Sequence, residues 1–347
     1  MQYRRCGKSD LTLPVLGIGC WQFGGGEYWG PTDQAAVDAV VQLAVAHGCN
    51  YFDTAEMYNQ GTSEEALGQA LQPIPREQVI IGTKISPSNT QPQTLVEHCE
   101  ASLRRLRTTY IDLYMVHWPI TPHSIGHFTS QPMATPSVQD AFATLLRLQQ
   151  QGKIRHIGVS NFGREKLDEA LATGVQIAAN ELPYSLLARA IELEILPYCA
   201  AKGIGIIGYM ALWQGLLAGV YKTVDDIPAW QRRTRHFDSR RSPLIRHGLP
   251  GAESQTMQAL GAVQAIAQES GLTMAEIALQ WAMAAPGIVS SLCGVRTIGK
   301  LQENLHAADT VLNPEIVAAL NRATQPLLEA LGPSFDYWQH PDHDRTR

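Results

Sequence analysis

The chain has 347 residues, with 27 Lys and Arg against 32 Asp and Glu and a formal net charge of −5. Hydrophobic residues make up 45% and charged residues 17%, too apolar for a disordered polypeptide, and no uncharged run is long enough for a membrane helix. The charge balance lacks the basic footprint that neutralising a nucleic-acid backbone requires, so neither nucleic acid nor membrane is an expected partner. Cys6, Cys20, Cys49, Cys99, Cys199 and Cys293 stand singly, and no apolar segment follows the arginines of the first ten residues. These features predict reduced thiols, no signal peptide and a cytoplasmic location.

In chain order, a short apolar run at 15–20 is followed by Val37, Val40, Val41, Ala44 and Val45 at helical spacing, opened by Thr32 or Asp33 and closed by Gly48. Runs at 50–53 and 79–82 come next, then a second helical stretch carrying Leu95, Cys99, Leu103 and Leu106. Further runs lie at 111–116, 154–159, 176–180, 204–209 and 288–293. The runs are continuous rather than alternating, as in a parallel sheet covered on both faces. Eight such units with no linker predict one α/β domain over 1–347, a single (β/α)8 TIM barrel. The long interval after the seventh strand predicts a mouth loop over 218–253, Arg- and Pro-rich at its centre, and 326–347 reads as an irregular C-terminal tail.

Two decoys are set aside. Gly203, Gly205 and Gly208 satisfy G-x-G-x-x-G with Asp225 beyond, but they lead into a strand instead of turning from strand to helix. His340 and His343, beside Asp342 and Asp344, sit on a terminal segment, and no metal is expected.

In a barrel of this kind the site is built where strands end. Asp53, Lys84 and His117 close three successive runs, and Tyr58 lies on the loop past Asp53. Each alone has a bland structural role, but an acid, a base, an imidazole and a phenol at one mouth predict a proton donor. An ammonium near a phenol favours the phenolate and lowers its pKa; Lys84 supplies that charge and Asp53 keeps it protonated. His117 then orients a substrate oxygen, and the set suits protonation of a developing alkoxide, as in carbonyl reduction by hydride.

The stretch Asp53-Thr54-Ala55-Glu56-Met57-Tyr58 with Gly61, Ser63, Glu64, Leu67 and Gly68, the strand Gly82-Thr83-Lys84, and the strand Asp112 through Val116 with His117, Trp118 and Pro119 resemble the motifs of the aldo-keto reductases. The resemblance spans most of the chain. It implies a (β/α)8 barrel that binds NADPH in extended form, with Tyr58 as general acid, Lys84 and Asp53 tuning it and His117 polarising the carbonyl. It also implies nicotinamide contacts from Ser160, Asn161, Glu181 and Tyr209, and a pyrophosphate loop at Gly215, Leu217 and Gly219. Adenosine-phosphate contacts are implied for Gly294, Arg296, Thr297, Lys300, Glu303 and Asn304, where two cations at a helix start favour NADPH over NADH.

The sequence departs from the family pattern at Glu181, where Gln is common, at Val220, where a lysine is frequent, and at Met210-Ala211. The arginines of the long loop, Arg232, Arg233, Arg235, Arg240, Arg241 and Arg246, are expected to supply the missing charge by folding over the cofactor. Trp21, Tyr28, Trp29 and Trp118 are the expected substrate pocket, with Phe335, Tyr337 and Trp338 of the tail as a lid. The expected activity is NADPH-dependent reduction of aldehydes or ketones. The alternatives are a regulatory subunit that keeps the cofactor site as a sensor, and a barrel hydrolase or isomerase without nicotinamide.

Overall fold

A computed structural model describes residues 1–26 and 29–347. Ten strands are named in chain order: β1 (Tyr3–Arg5), β2 (Thr12–Pro14), β3 (Leu16–Gly19), β4 (Tyr51–Asp53), β5 (Ile80–Ile85), β6 (Ile111–Val116), β7 (Ile154–Ser160), β8 (Ile177–Pro183), β9 (Gly205–Tyr209) and β10 (Ile288–Gly294). Strands β3 to β10 pair in parallel and in chain order, and β10 returns to β3 to close an eight-stranded barrel. The helices between them bury the outer face of each strand, which explains apolar runs without alternation. Asp33 caps the first helix, Gln34–Ala46, by accepting the Ala35 N–H, and the apolar face Val37, Val40, Val41 and Ala44 is buried.

Several strands run past their expected ends. β5 extends to Ile85, β7 to Ser160 and β8 to Pro183, so Lys84, Ser160 and Glu181 lie inside strands. The backbone ladder continues because pairing is indifferent to side-chain polarity, whereas hydrophobic patterning stops at the first polar residue.

Strands β1 and β2 form an antiparallel hairpin outside the barrel that the sequence reading does not contain. Its Cys6, Leu11 and Leu13 join Tyr51, Leu113, Met115, Ala179 and Ile207 in the inner core, while Arg4 donates to the carbonyls of Met283 and Ile288 at the start of β10. It plugs the N-terminal end of the barrel. Gly7 makes the close approach possible: its φ is +54°, and a Cβ there would lie 1.9 Å from the Gly203 carbonyl oxygen.

The expected irregular tail begins later than residue 326. The last helix, Pro314–Leu331, passes through Pro326 and ends at Gly332. One missing N–H is tolerated because Leu320, Leu327, Leu328 and Leu331 bury one continuous face, packed against helix Glu253–Glu269. Gly203 ends helix Ile195–Lys202 and the next glycines lie in β9, so the G-x-G-x-x-G pattern has no strand-to-helix turn. No helix among the described residues is long and apolar enough to cross a membrane.

Candidate active site

Lys84 on β5 and Glu181 on β8 come from strands that are not neighbours, yet Nζ and Oε1 are 3.4 Å apart. Both side chains therefore point to the barrel axis. Asp53 on β4 joins them: the Lys84 ammonium donates to Asp53 Oδ1 and, at 2.9 Å, to the Thr54 carbonyl. Tyr51 Oη donates to Asp53 Oδ2 at 3.3 Å from two residues earlier on the same inner face. Gly82 keeps this floor open, since a Cβ would stand 2.7 Å from Tyr51 Oη and 3.3 Å from Asp53 Oδ2. Asp53, Lys84 and Glu181 are all buried.

The expected tetrad converges. Lys84 Nζ reaches Tyr58 Oη at 3.5 Å, and the Tyr58 ring meets the His117 ring edge to face with centroids 5.7 Å apart. Burial opposes charge on Lys84, but Asp53 and then Glu181 outweigh it and raise its pKa above the ordinary lysine value. The expected acidification of Tyr58 is corrected. Burial pushes the phenol up, Lys84 pulls it down by less, and the Asp53 carboxylate pushes it up again, so the phenol keeps its proton at neutral pH. His117 is held well below the usual imidazole range by burial, then by Lys84 and His127. It is a neutral ring with one N–H, and its Nδ1 has no partner among the described residues.

The opposite wall carries the expected nicotinamide residues. Ser160 donates to the Glu181 carbonyl at 3.0 Å; Asn161, held at φ +63°, donates to Ser160 Oγ and to the His117 carbonyl and accepts from Tyr209 Oη at 2.7 Å. This network locks Asn161 and Tyr209 together across the ends of β7 and β9. Burial and then Asp53 drive Glu181 well above the carboxylate range, with Lys84 opposing, and its Oε2 has no hydrogen-bond partner among the described residues.

In the loop after β9 the N–H groups of Gly215 and Leu217 both donate to the Leu212 carbonyl. These two amides bind protein where a phosphate contact was expected, because the turn at Leu212 satisfies its own backbone. Gly219 takes φ +75° beside Gln264. Thr297 caps helix Ile298–Ala308 by accepting the Lys300 N–H. Arg296 is exposed and donates to the carbonyls of Trp29 and Pro31; Lys300 pairs with Glu303 at 2.7 Å. Asn304 is buried and donates to Cys293 Sγ, a packing role, and Gly294 lies against the Gln22 side chain.

Trp21 contacts Tyr58 (centroids 6.1 Å) and Trp29 (5.2 Å), so two of the expected pocket residues line the approach to the phenol. Tyr28 lies outside the described residues. Trp118 is corrected: it is buried, with the Arg345 guanidinium 4.0 Å over its ring, so the tail covers it. Two further wall residues escaped the sequence reading. Trp230 reaches Trp29 from the long loop at 5.7 Å, and Phe128 lies tilted beside His117 at 5.8 Å. Neither has a local signal, since each arrives on a segment between barrel strands whose path only tertiary contacts determine.

The arginine loop is likewise corrected. Arg235 is buried and donates to the carbonyls of Leu331 and Ser334, Arg240 pairs with Asp238, and Arg241 pairs with Glu253 and Asp225. These three hold the loop to itself and to the tail, because nearby carboxylates and carbonyls satisfy them first. Phe335 and Tyr337 are buried, and Tyr337 meets Trp213 edge to face at 5.1 Å. Six of the seven non-glycine residues with positive φ among the described residues, Asn59, Gln60, Asn161, Met210, Trp213 and Gln214, fall on the loops of this end.

Comparison with known proteins agrees with this geometry. The family model described as the aldo/keto reductase family matches residues 15–325. The chain is 33% identical over 345 residues to the NADH-specific methylglyoxal reductase of Escherichia coli K12, covering 91% of this chain and 98% of that protein. An aldo-keto reductase from Klebsiella pneumoniae, solved in complex with NADPH, superposes with a TM-score of 0.69 at 26% identity, covering 93% of this chain and 95% of that one. The glycerol dehydrogenase AKR11B4 of Gluconobacter oxydans gives 0.76 at 26% identity, with 95% and 96% covered. With a matching family model over most of its length, a closed barrel and an acid, lysine, phenol and imidazole gathered at one mouth, the chain belongs to the aldo/keto reductase family of oxidoreductases.

Proposed function

We propose that the protein reduces small aldehydes or ketones to alcohols with NADPH, with Tyr58 as the proton donor. The observation that carries this reading is the buried relay from Asp53 through Lys84 to Tyr58, with the neutral His117 ring edge to face against the Tyr58 ring. Lys84, kept charged by Asp53, stabilises the phenolate that Tyr58 becomes once its proton moves to the substrate oxygen. The neutral His117 gives its N–H to that oxygen and fixes the carbonyl against Tyr58. Trp21 and Trp29 screen the site from water.

The residues fit a nicotinamide dinucleotide. Asn161 and Tyr209 form a fixed polar and aromatic wall, and Glu181 offers a buried oxygen that has no hydrogen-bond partner among the described residues. When bound, a reduced nicotinamide supplies a hydride for the carbonyl carbon. Ser160, Asn161, Glu181 and Tyr209 would hold the nicotinamide end, and Arg296, Thr297 and Lys300 at the start of helix Ile298–Ala308 would hold the adenosine phosphate.

The test is oxidation of NADPH, and separately of NADH, with a panel of small aldehydes including methylglyoxal. Tyr58→Phe should lower kcat by about 10³-fold while leaving cofactor affinity within about threefold, since it removes only the transferred proton. Cofactor binding without turnover in the unmodified protein would instead favour a sensor, and an unchanged rate in the variant would remove Tyr58 from the mechanism.

A further inference from the structure

The buried floor holds more acid than base. One ammonium, Lys84, faces two carboxyl groups, Asp53 by direct donation and Glu181 at 3.4 Å. The other titratable groups facing them are the phenols of Tyr51, Tyr58 and Tyr209, the Cys20 thiol and the neutral His117 ring, none of which brings a positive charge. If both carboxyls were ionised, the floor would hold a net negative charge away from water, with one Glu181 oxygen lacking any donor among the described residues. Asp53 from β4 and Glu181 from β8 converge on the same ammonium, and two acids brought together there can bond to each other only when one keeps its proton.

We propose that Glu181 is protonated at neutral pH and donates its proton to Asp53, so that Asp53, Lys84 and Glu181 form a neutral triad in which Glu181 is a positioning residue for Lys84. The arrangement resembles other carboxyl pairs that share one proton because two like charges at contact cannot both persist. A neutral Glu181 leaves the ammonium directed to Asp53 and Tyr58, and with its one proton given to Asp53 it acts elsewhere only as an acceptor. Burial acting on Glu181 ahead of Asp53 favours the same protonation state. The inference builds on the preceding reading only in placing this triad beneath Tyr58, and its test uses the protein without cofactor or substrate, so the two stand or fall separately.

The experiment is infrared and carboxyl-¹³C NMR spectroscopy of the full chain, without added ligand, from pH 6 to pH 9. A protonated-carboxyl signal should persist at pH 7 and be lost in Glu181→Gln, which keeps the shape and stays neutral. In Asp53→Asn, Glu181 becomes the sole counter-ion of Lys84 and should ionise, again losing the signal. Absence of any protonated carboxyl at pH 7 that depends on residue 181 overturns the proposal; its persistence in Asp53→Asn overturns the shared proton. Thermal unfolding adds a reading with a fixed sign. A carboxyl whose folded pKa is raised stabilises below its unfolded pKa, and that contribution is lost as pH rises through the folded value. The midpoint of Glu181→Gln should therefore gain on the parent between pH 6 and pH 9, and a constant difference would count against the proposal.

Discussion

The two ends of this barrel are made from the same eight strands and are built on opposite principles. At the N-terminal end, Cys6, Leu11 and Leu13 of the hairpin close the interior with apolar side chains, and Arg4 and the amide of Lys8 tie the hairpin to backbone carbonyls. Toward the C-terminal end the strands carry Asp53, Lys84 and Glu181, the loops adopt positive φ at non-glycine residues, and a buried ion pair, Arg345 with Asp336, fixes the tail. Apolar burial is non-directional and tolerant, so it suits the end that only has to hold. Buried charge and backbone strain destabilise unless every partner is in place, and they are retained where they position reactive groups.

The contrast can be broken by variants at each end. Arg345→Ala should have the largest effect on stability, about 3–5 kcal/mol, because it leaves Asp336 as a buried carboxylate without its cation. Chemical denaturation measures it, and the uncovered Trp118 should broaden aldehyde selectivity at the same time. A loss under about 1 kcal/mol would mean the tail is held by its aromatics instead.

Leu13→Ala at the other end should cost about 3 kcal/mol by cavity formation in the plug, yet leave kcat and KM of the folded fraction unchanged. A change in kcat there would erase the division of labour between the ends. Smallest is the double change Arg296→Ala with Lys300→Ala, two exposed side chains at the rim. It should raise KM for NADPH about tenfold and leave KM for NADH unaltered, since only the former carries the extra phosphate. Equal effects on both cofactors would refute phosphate selection at this helix start.

Much of the site was legible because its residues sit at fixed offsets from the ends of apolar runs. Asp53, Lys84 and His117 each follow such a run, and the barrel brings consecutive strand ends together. Asn161 and Tyr209, which the family resemblance implied for the nicotinamide, also sit at strand ends and are hydrogen-bonded to each other. Less legible were the residues that arrive by loops. Trp230 comes from the long segment after β9 and Phe128 from a short helix, Pro122–Phe128, and each touches a wall residue that is remote in sequence. The arginines of the long segment misled for a related reason: their count showed charge, but their partners Asp225, Asp238 and Glu253 were visible only once the segment was folded.

The sequence by itself determined the number and order of the βα units, the identity of the acid, base, phenol and imidazole, and the family to which they point, because each depends on local periodicity or on short spacings along one strand and its loop. Tertiary structure alone decided the protonation of those groups. Spacing alone had Lys84 acidify Tyr58, whereas burial, with the Asp53 carboxylate, outweighs that ammonium and leaves the phenol neutral. The balance between desolvation and neighbouring charge depends on distances across the barrel between residues far apart in the chain, which no local pattern encodes.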